Sequence, residues 1–448
     1  RRWLQDNFGL GVLGMDANQA MSLRPQFERL AQGWRDCFRR EVTFGYLVRY
    51  TLGLLTDLPR KSVEPIALAA GVPVRNLQEF LADFKWDDQR AVDMLQRRVA
   101  DRCGDAVSIG VIDATGFPKR GPKTPGVQRQ YCGETGKIDN CVIGQHLLYT
   151  NNDAANPFSC MLESDLYLPE AWAKDTARRR EARIPDELPM RPKWMIAVHQ
   201  LERAQANGVR LDWVTFDEDY GSVPAFWFDL DARGIRGIGE VRPNFRAWVK
   251  PPSCRSLRAE HAARQVRHLA THSPAFTSQR WRTMTVKTTT RGEAVWRVKA
   301  ARIHLVDTDD QPSQPTDRQY WLIVADSEKT GERKHLVSNA SAGTDLKQML
   351  EAAFARWHVE KWFERAKQEA GLGAFEVRTY TALLRHWFCV QLAMLFLAEA
   401  THRLRGEKCA DHAGAGGPLR RDPGGEDLAA DAGRLAPPAG VHPVLSAP

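Results

Sequence analysis

Three carboxylates, Asp113, Asp217 and Glu360, stand in settings that allow joint chemistry. Asp113 closes the apolar run 107–112, and Asp217 closes the run 211–216. Glu360 lies in the stretch 356–367, where Arg356, Glu360, Phe363 and Lys367 recur at helical spacing and share one stripe. Carboxylates are hard oxygen donors suited to Mg²⁺ or Mn²⁺, and two such ions can clamp the attacking and leaving oxygens of a phosphodiester. That chemistry is the cutting and rejoining of DNA strands. Each acid alone reads more simply as a turn residue, a cap or half of an exposed ion pair, and Asp219 competes with Asp217. Two acids at strand ends and one on a late helix, in that order, weigh against the simpler reading. The basic stretch after Asp113, with Lys119, Arg120, Lys123 and Arg129, offers cations that could grip phosphates near the acids.

Elements to hold these residues are legible along the chain. Residues 105–241 alternate between strand and helix, with strands expected at 107–113, 140–149, 158–165, 211–216 and 235–241. Helices are expected at 192–208 and 222–234. In open α/β sheets functional residues gather at the carboxyl ends of strands, where Asp113 and Asp217 both fall. Residues 16–100 read as an all-helical N-terminal domain. Within it Ala67, Gly71 and Val72 are placed as in a helix-turn-helix, which either contacts DNA or is an ordinary helical hairpin. Residues 242–340 read as an insertion, mainly β from 281, since 283–289, 294–299 and 320–324 alternate. Helices return over 343–405, with Thr344 or Asp345 as cap and Gly371 and Gly373 as a stop. The tail 406–448 is rich in Gly and Pro, has no Phe, Trp or Tyr, and is expected to be disordered.

At 448 residues the chain can hold two or three domains, and 63 Lys+Arg against 55 Asp+Glu give a net charge of +8. That surplus suits a polyanionic partner without proving one. No run reads as long as a membrane span, and the start lacks a secretory pattern. Eight scattered cysteines without a CxxC pair imply neither a zinc site nor a disulfide framework, and point to a reducing, cytoplasmic compartment.

Several blocks together carry a family likeness. They are Ile112-Asp113-Ala114-Thr115-Gly116-Phe117-Pro118-Lys119, then Val127-Gln128-Arg129-Gln130-Tyr131-Cys132-Gly133, then Asp165-Leu166-Tyr167-Leu168-Pro169-Glu170-Ala171-Trp172 with Arg178-Arg179-Arg180. Asp217 with Tyr220-Gly221, and the Glu360 helix, complete them. In these blocks, over roughly 25–400, the chain resembles the DDE transposases of bacterial insertion sequences, in the group with a C-terminal YREK signature. The resemblance implies an RNase H-like catalytic core carrying a β insertion and preceded by the helical domain. It implies that Asp113, Asp217 and Glu360 form the metal-binding catalytic triad with two Mg²⁺ or Mn²⁺ ions. Arg356 and Lys367 match the signature's Arg and Lys, which hold DNA phosphates near the cut; its Tyr falls on Ala353, so that contact is missing or supplied by Phe354. The implied reaction is cleavage at transposon ends followed by attack of the freed 3′-hydroxyl on target DNA. The implied setting is double-stranded DNA, a homodimer in the synaptic complex, no membrane, and a bacterial, nucleoid-associated location. Relatives with a β insertion can pass through a hairpin and stack a flipped base, for which Trp281, Trp296 and Trp321 are candidates; otherwise they are the insertion's core. Two alternatives stay open: a metal-dependent nuclease without strand transfer, and a catalytically inactive DNA-binding regulator.

Overall fold

The computed structural model describes residues 17–104, 106–153, 157–251, 262–289, 292–308 and 314–414. The first of these are helical: Ala17–Ala31, Glu41–Leu55, Val63–Ala69, Val74–Ala82 and Asp88–Ala100, with a 3₁₀ turn at Gln32–Cys37. Phe27, Trp34, Phe44, Leu47, Tyr50 and Leu54 line their inner faces and are almost wholly buried. Close packing of the second and third helices depends on Gly53, where a Cβ would stand 2.3 Å from the Ile66 side chain. Gly71, at φ +64°, makes the left-handed turn between Val63–Ala69 and Val74–Ala82 that an L side chain would strain.

Thirteen strands among the described residues form the sheet: β1 (Ile109–Pro118), β2 (Gln128–Cys132), β3 (Lys137–Thr150), β4 (Ser159–Leu166), β5 (Trp213–Phe216), β6 (Gly237–Glu240), β7 (Arg246–Trp248), β8 (Arg264–Gln265), β9 (Arg282–Thr289), β10 (Gly292–Thr308), β11 (Gln314–Pro315), β12 (Tyr320–Ser327) and β13 (Arg333–Ser338). The path runs β2-β3-β1-β5-β6-β13-β12-β10-β7-β8, with β4 on β3 and with β9 and β11 on β10. The expected α/β class is therefore present. The strands after residue 281 do not close on themselves: β13 pairs with β6 and extends the same sheet.

The middle of this path positions the site. β1 runs antiparallel to β3 and parallel to β5, which runs parallel to β6. Expected to end at Asp113, β1 in fact continues to Pro118, because β3 pairs with it as far as Cys141. Its parallel partner stops earlier: the last β1–β5 pair is Val111 with Thr215. Asp113 thus stands two residues past the end of the parallel pairing, and Asp217 one residue past the end of β5. The two acids share the open carboxyl end of a parallel strand pair.

The last described helix, Tyr380–Gly414, packs its first turns on this sheet, with Trp387 against Phe117 of β1 and His146 of β3. Its segment Tyr380–Arg403 is long and apolar enough to cross a membrane, with a mean hydropathy of 1.4, which corrects the reading that no run reaches that length. Of its most apolar window 83% is buried inside the fold, as in a core helix. Arg385 joins this helix to the N-terminal ones, donating to the carbonyls of Phe84 at 2.8 Å and Trp86 at 3.2 Å. His386 donates from Nε2 to the Gly371 carbonyl at 3.1 Å and accepts at Nδ1 from the Tyr50 hydroxyl at 2.9 Å. Burial, and then Lys119, push its pKa down to about 4. The unfolded chain takes up a proton near pH 6.5 that the folded chain refuses until about 4, so stability is present above pH 6.5 and drains away as pH falls through that window. A melting temperature followed from pH 7 to 4 should fall less steeply in His386→Gln than in wild type.

Residues up to Arg405 form one compact unit and Gly406–Pro448 a second. Helix persists to Gly414, past the expected boundary at 405; the rest of the expected disordered tail lies outside the described residues.

Candidate active site

Glu360 lies in the first turn of the helix Trp357–Glu369, which packs over β1, with Phe363 seated 5.0 Å from the His146 ring on β3. Arg356, just before that helix, brings the acids together. Its guanidinium lies 3.5 Å from Asp113 Oδ2 and 2.7 Å from Glu360 Oε1. Burial, and then the charge of Asp217, raise the Asp113 pKa to about 7, against the pull of Arg356; Glu360 adds a smaller push in the same direction. Burial and then Asp219 raise Asp217 to about 6. The structure therefore sets Asp113 and Glu360 on either side of Arg356, with Asp217 at the end of the strand beside β1. Asp217 also caps the turn Glu218–Gly221, accepting from the Asp219 amide at 2.9 Å. The competing Asp219 is taken up by Lys193 at 3.2 Å and Arg242 at 2.5 Å.

Beneath the acids lies a floor that the motifs quoted but did not explain. Tyr220 is buried and donates its hydroxyl to the Gln145 carboxamide, itself buried on β3. Its pKa is raised by burial and then by the charges of Asp113 and Asp217. Gly221 must be glycine, since a Cβ there would stand 2.0 Å from the Glu240 carbonyl oxygen. The Tyr220-Gly221 pair was the available signal; Gln145 carried none, because an amide inside an apolar strand looks like any other.

Lys367, at the far end of the same helix, reaches β1 and the turn between β2 and β3. Its ammonium donates to Thr115 Oγ1 at 2.9 Å and to Glu134, in the turn between β2 and β3, at 2.5 Å. The remaining basic residues divide. Arg120 and Arg129 are exposed, and Lys123 is exposed but paired with Glu181. Lys119 turns inward, which corrects its reading as a phosphate contact: it donates to the carbonyls of Gly373 at 2.7 Å and Phe375 at 2.8 Å and sits 3.4 Å over the Phe375 ring. Burial pulls its pKa down to about 7. Lys119→Met should cost about 1–3 kcal/mol of stability, read by denaturant melting, while duplex binding keeps its salt dependence.

The tryptophans divide too. Trp296 is buried, with its ring 4.8 Å from Phe354, a core position that no extruded base could reach. Trp281 lies under Lys299 at 4.8 Å, and Trp321 under Arg302 at 4.9 Å while donating to the Ser341 carbonyl. Both are partly exposed.

Among the described residues no three His, Cys, Asp or Glu side chains stand close enough to form a ready-made metal cluster. Arg356, between Asp113 and Glu360, holds positive charge in that space. The donor set nevertheless fits a hard cation: Asp113 and Glu360 offer carboxylate oxygens on either side of Arg356, and burial holds Asp113 and Asp217 above the usual carboxylate range.

Comparison with known proteins agrees with this chemistry. A probable transposase for the insertion sequence element IS701 of Microchaete diplosiphon is 27% identical over 226 residues. That match takes in 50% of this chain and 56% of the relative, so the chain spans little more than half the length of the curated protein it matches. A cryo-EM structure of the piggyBac transposase synaptic complex with hairpin DNA covers 83% of this chain and 70% of its own, at 12% identity and a TM-score of 0.37, too distant to carry an argument. The family described as DDE superfamily endonuclease matches residues 34–299, a span that includes Asp113 and Asp217 and stops before Glu360. Since that match takes in more than half of the sequence, the chain belongs to the DDE superfamily endonucleases.

Proposed function

We propose that the protein is a transposase with an RNase H-like core, cutting DNA at the ends of a mobile element and joining the freed 3′ ends to target DNA. The observation that carries this is the meeting of Asp113, Asp217 and Glu360 around Arg356 at the open end of β1 and β5. The order β4-β3-β1-β5-β6, three antiparallel strands followed by two parallel ones, supports the RNase H-like reading. The three acids would hold two divalent ions, Mg²⁺ or Mn²⁺, which when bound would supply Lewis acidity for an in-line displacement at phosphorus. The chain's own part is placement. Tyr220 and Gln145 form a rigid floor under the acids, and Arg356 and Lys367 hold the phosphates on either side of the cut. In the free protein both cations are occupied by carboxylates, so a DNA strand must take Lys367 from Glu134, and Arg356 must leave Asp113 and Glu360 before those acids could hold a divalent ion. Trp281 or Trp321 would take a flipped base if the second strand is cut through a hairpin. The helix-turn-helix would add contacts to the ends, and two copies would bring the two ends together.

Two assays test the reading. Incubation with a plasmid carrying the element's ends should give metal-dependent cuts, and pre-cut ends should be joined to a second plasmid. Cuts without joining would leave a nuclease; no cuts with either metal would reject the proposal. Arg356→Gln and Lys367→Gln should each flatten the dependence of log affinity on log salt by about 0.9, one released counterion apiece. An unaltered slope in both would mean that they serve only as internal ion pairs.

A further inference from the structure

The hairpin of β2 and β3 carries a surface that no catalytic role explains. Tyr131 and Ile138 are 66% and 62% exposed, among the most exposed large apolar residues described, and they are direct cross-strand partners. Directly paired residues project from the same face, and so do residues two apart on one strand. That face therefore also carries Arg129 and, across from it, Asn140. Arg129 is exposed, and among the described residues no carboxylate pairs with it. Asn140 donates to the Lys119 carbonyl at 2.7 Å and the Gly121 carbonyl at 3.0 Å, which fixes the loop bearing the exposed Arg120 beside this face. The tip of the hairpin reaches the cleft, where Glu134 meets Lys367. Gln128, Gln130 and Cys132 turn the other way, with Cys132 buried.

We propose that this face, Tyr131 and Ile138 flanked by Arg129 and Arg120, is a docking surface for the duplex DNA leaving the catalytic cleft. It rests on the transposase reading and adds to it a place for the DNA beyond the cut. Charge selects the occupant. Two exposed guanidiniums, with no carboxylate partner among the described residues, on a chain of net charge +8 repel a second copy and attract a polyanion. Chemistry selects the form of contact: the guanidiniums take phosphates, while an exposed ring and a branched aliphatic chain cover sugar and base edges along a groove. An exposed apolar pair beside two exposed guanidiniums, on the hairpin whose tip meets Lys367, suits such a contact.

The test uses the full chain and a short labelled duplex of arbitrary sequence, titrated at several salt concentrations. The double variant Tyr131→Ala/Ile138→Ala should weaken binding about tenfold with an unchanged salt slope, since apolar contacts release no counterions. Arg129→Gln should weaken binding and flatten the slope by about 0.9. Both side chains are exposed, so the melting temperature should stay at the wild-type value and show that folding is intact. Wild-type affinity in the double variant overturns the surface alone. So does wild-type protein that self-associates without DNA through a contact the double variant breaks. A wild-type protein that binds no duplex removes the transposase reading and this surface together.

Discussion

Strand cleavage is expected to fall by about a thousandfold or more in Asp113→Ala, Asp217→Ala and Glu360→Ala, with duplex affinity kept. Divalent ions held by these acids would supply several kcal/mol of transition-state stabilisation, and each 1.36 kcal/mol is a factor of ten. Affinity for DNA comes mostly from phosphate contacts, which loss of an acid leaves in place. A small gain in affinity is the expected side effect in Glu360→Ala, because Arg356 then loses its 2.7 Å partner and keeps only the longer 3.5 Å contact with Asp113. The measurement is cleavage of a labelled end duplex beside its binding curve. Any one variant that cuts at a tenth of the wild-type rate or faster would remove that residue from the triad. Collapse of binding and folding in all three would make the cluster structural.

The second large effect is on stability. Trp387 is completely buried, with its ring 5.7 Å from Phe117, 5.7 Å from His146 and 5.8 Å from Phe375. Trp387→Ala should cost about 3–5 kcal/mol, a large part of the roughly 5–15 kcal/mol that holds a folded protein. Because Phe117 lies on β1 four residues beyond Asp113, the loss should also slow cleavage. Thermal unfolding of the metal-free protein gives the first effect and the end-cleavage assay the second. A melting temperature close to wild type would show that the cleft does not lean on this side chain.

Much of this was legible from residues alone, and the gaps have physical causes. Asp113 and Asp217 stand out in the sequence because each closes an apolar run, and Glu360 because it shares a helical stripe with Arg356 and Lys367. The end of β1 was misjudged because apolar alternation stops at the acid while backbone pairing to β3 does not. Lys119 looked like a phosphate ligand, since a lysine in a basic run looks the same whether it faces water or two carbonyls. Trp296 shows the same blindness for aromatics: a ring on an alternating strand has two faces to choose from, and Phe354, far along the chain, decides which. The helix Tyr380–Gly414 was legible as apolar, yet how much of it the rest of the fold would bury is settled by partners such as Phe84 and Trp86 that only the tertiary structure brings near.

The order of these parts along the chain has a consequence during synthesis. A ribosome delivers both aspartates, the basic loop and the hairpin well before it delivers Glu360, Lys367 and the helix that backs the sheet. Until roughly the last tenth of the described chain has emerged, Arg385 cannot reach the carbonyls of Phe84 and Trp86, and β1 has no Trp387 behind it. A chain broken off early by a stalled ribosome or a premature stop codon would therefore be an unfolded substrate for proteases rather than a loose DNA-cutting fragment. Translation itself would act as a safeguard, since only messages read past Glu360 and Arg385 deliver all three acids together with the helix behind the sheet.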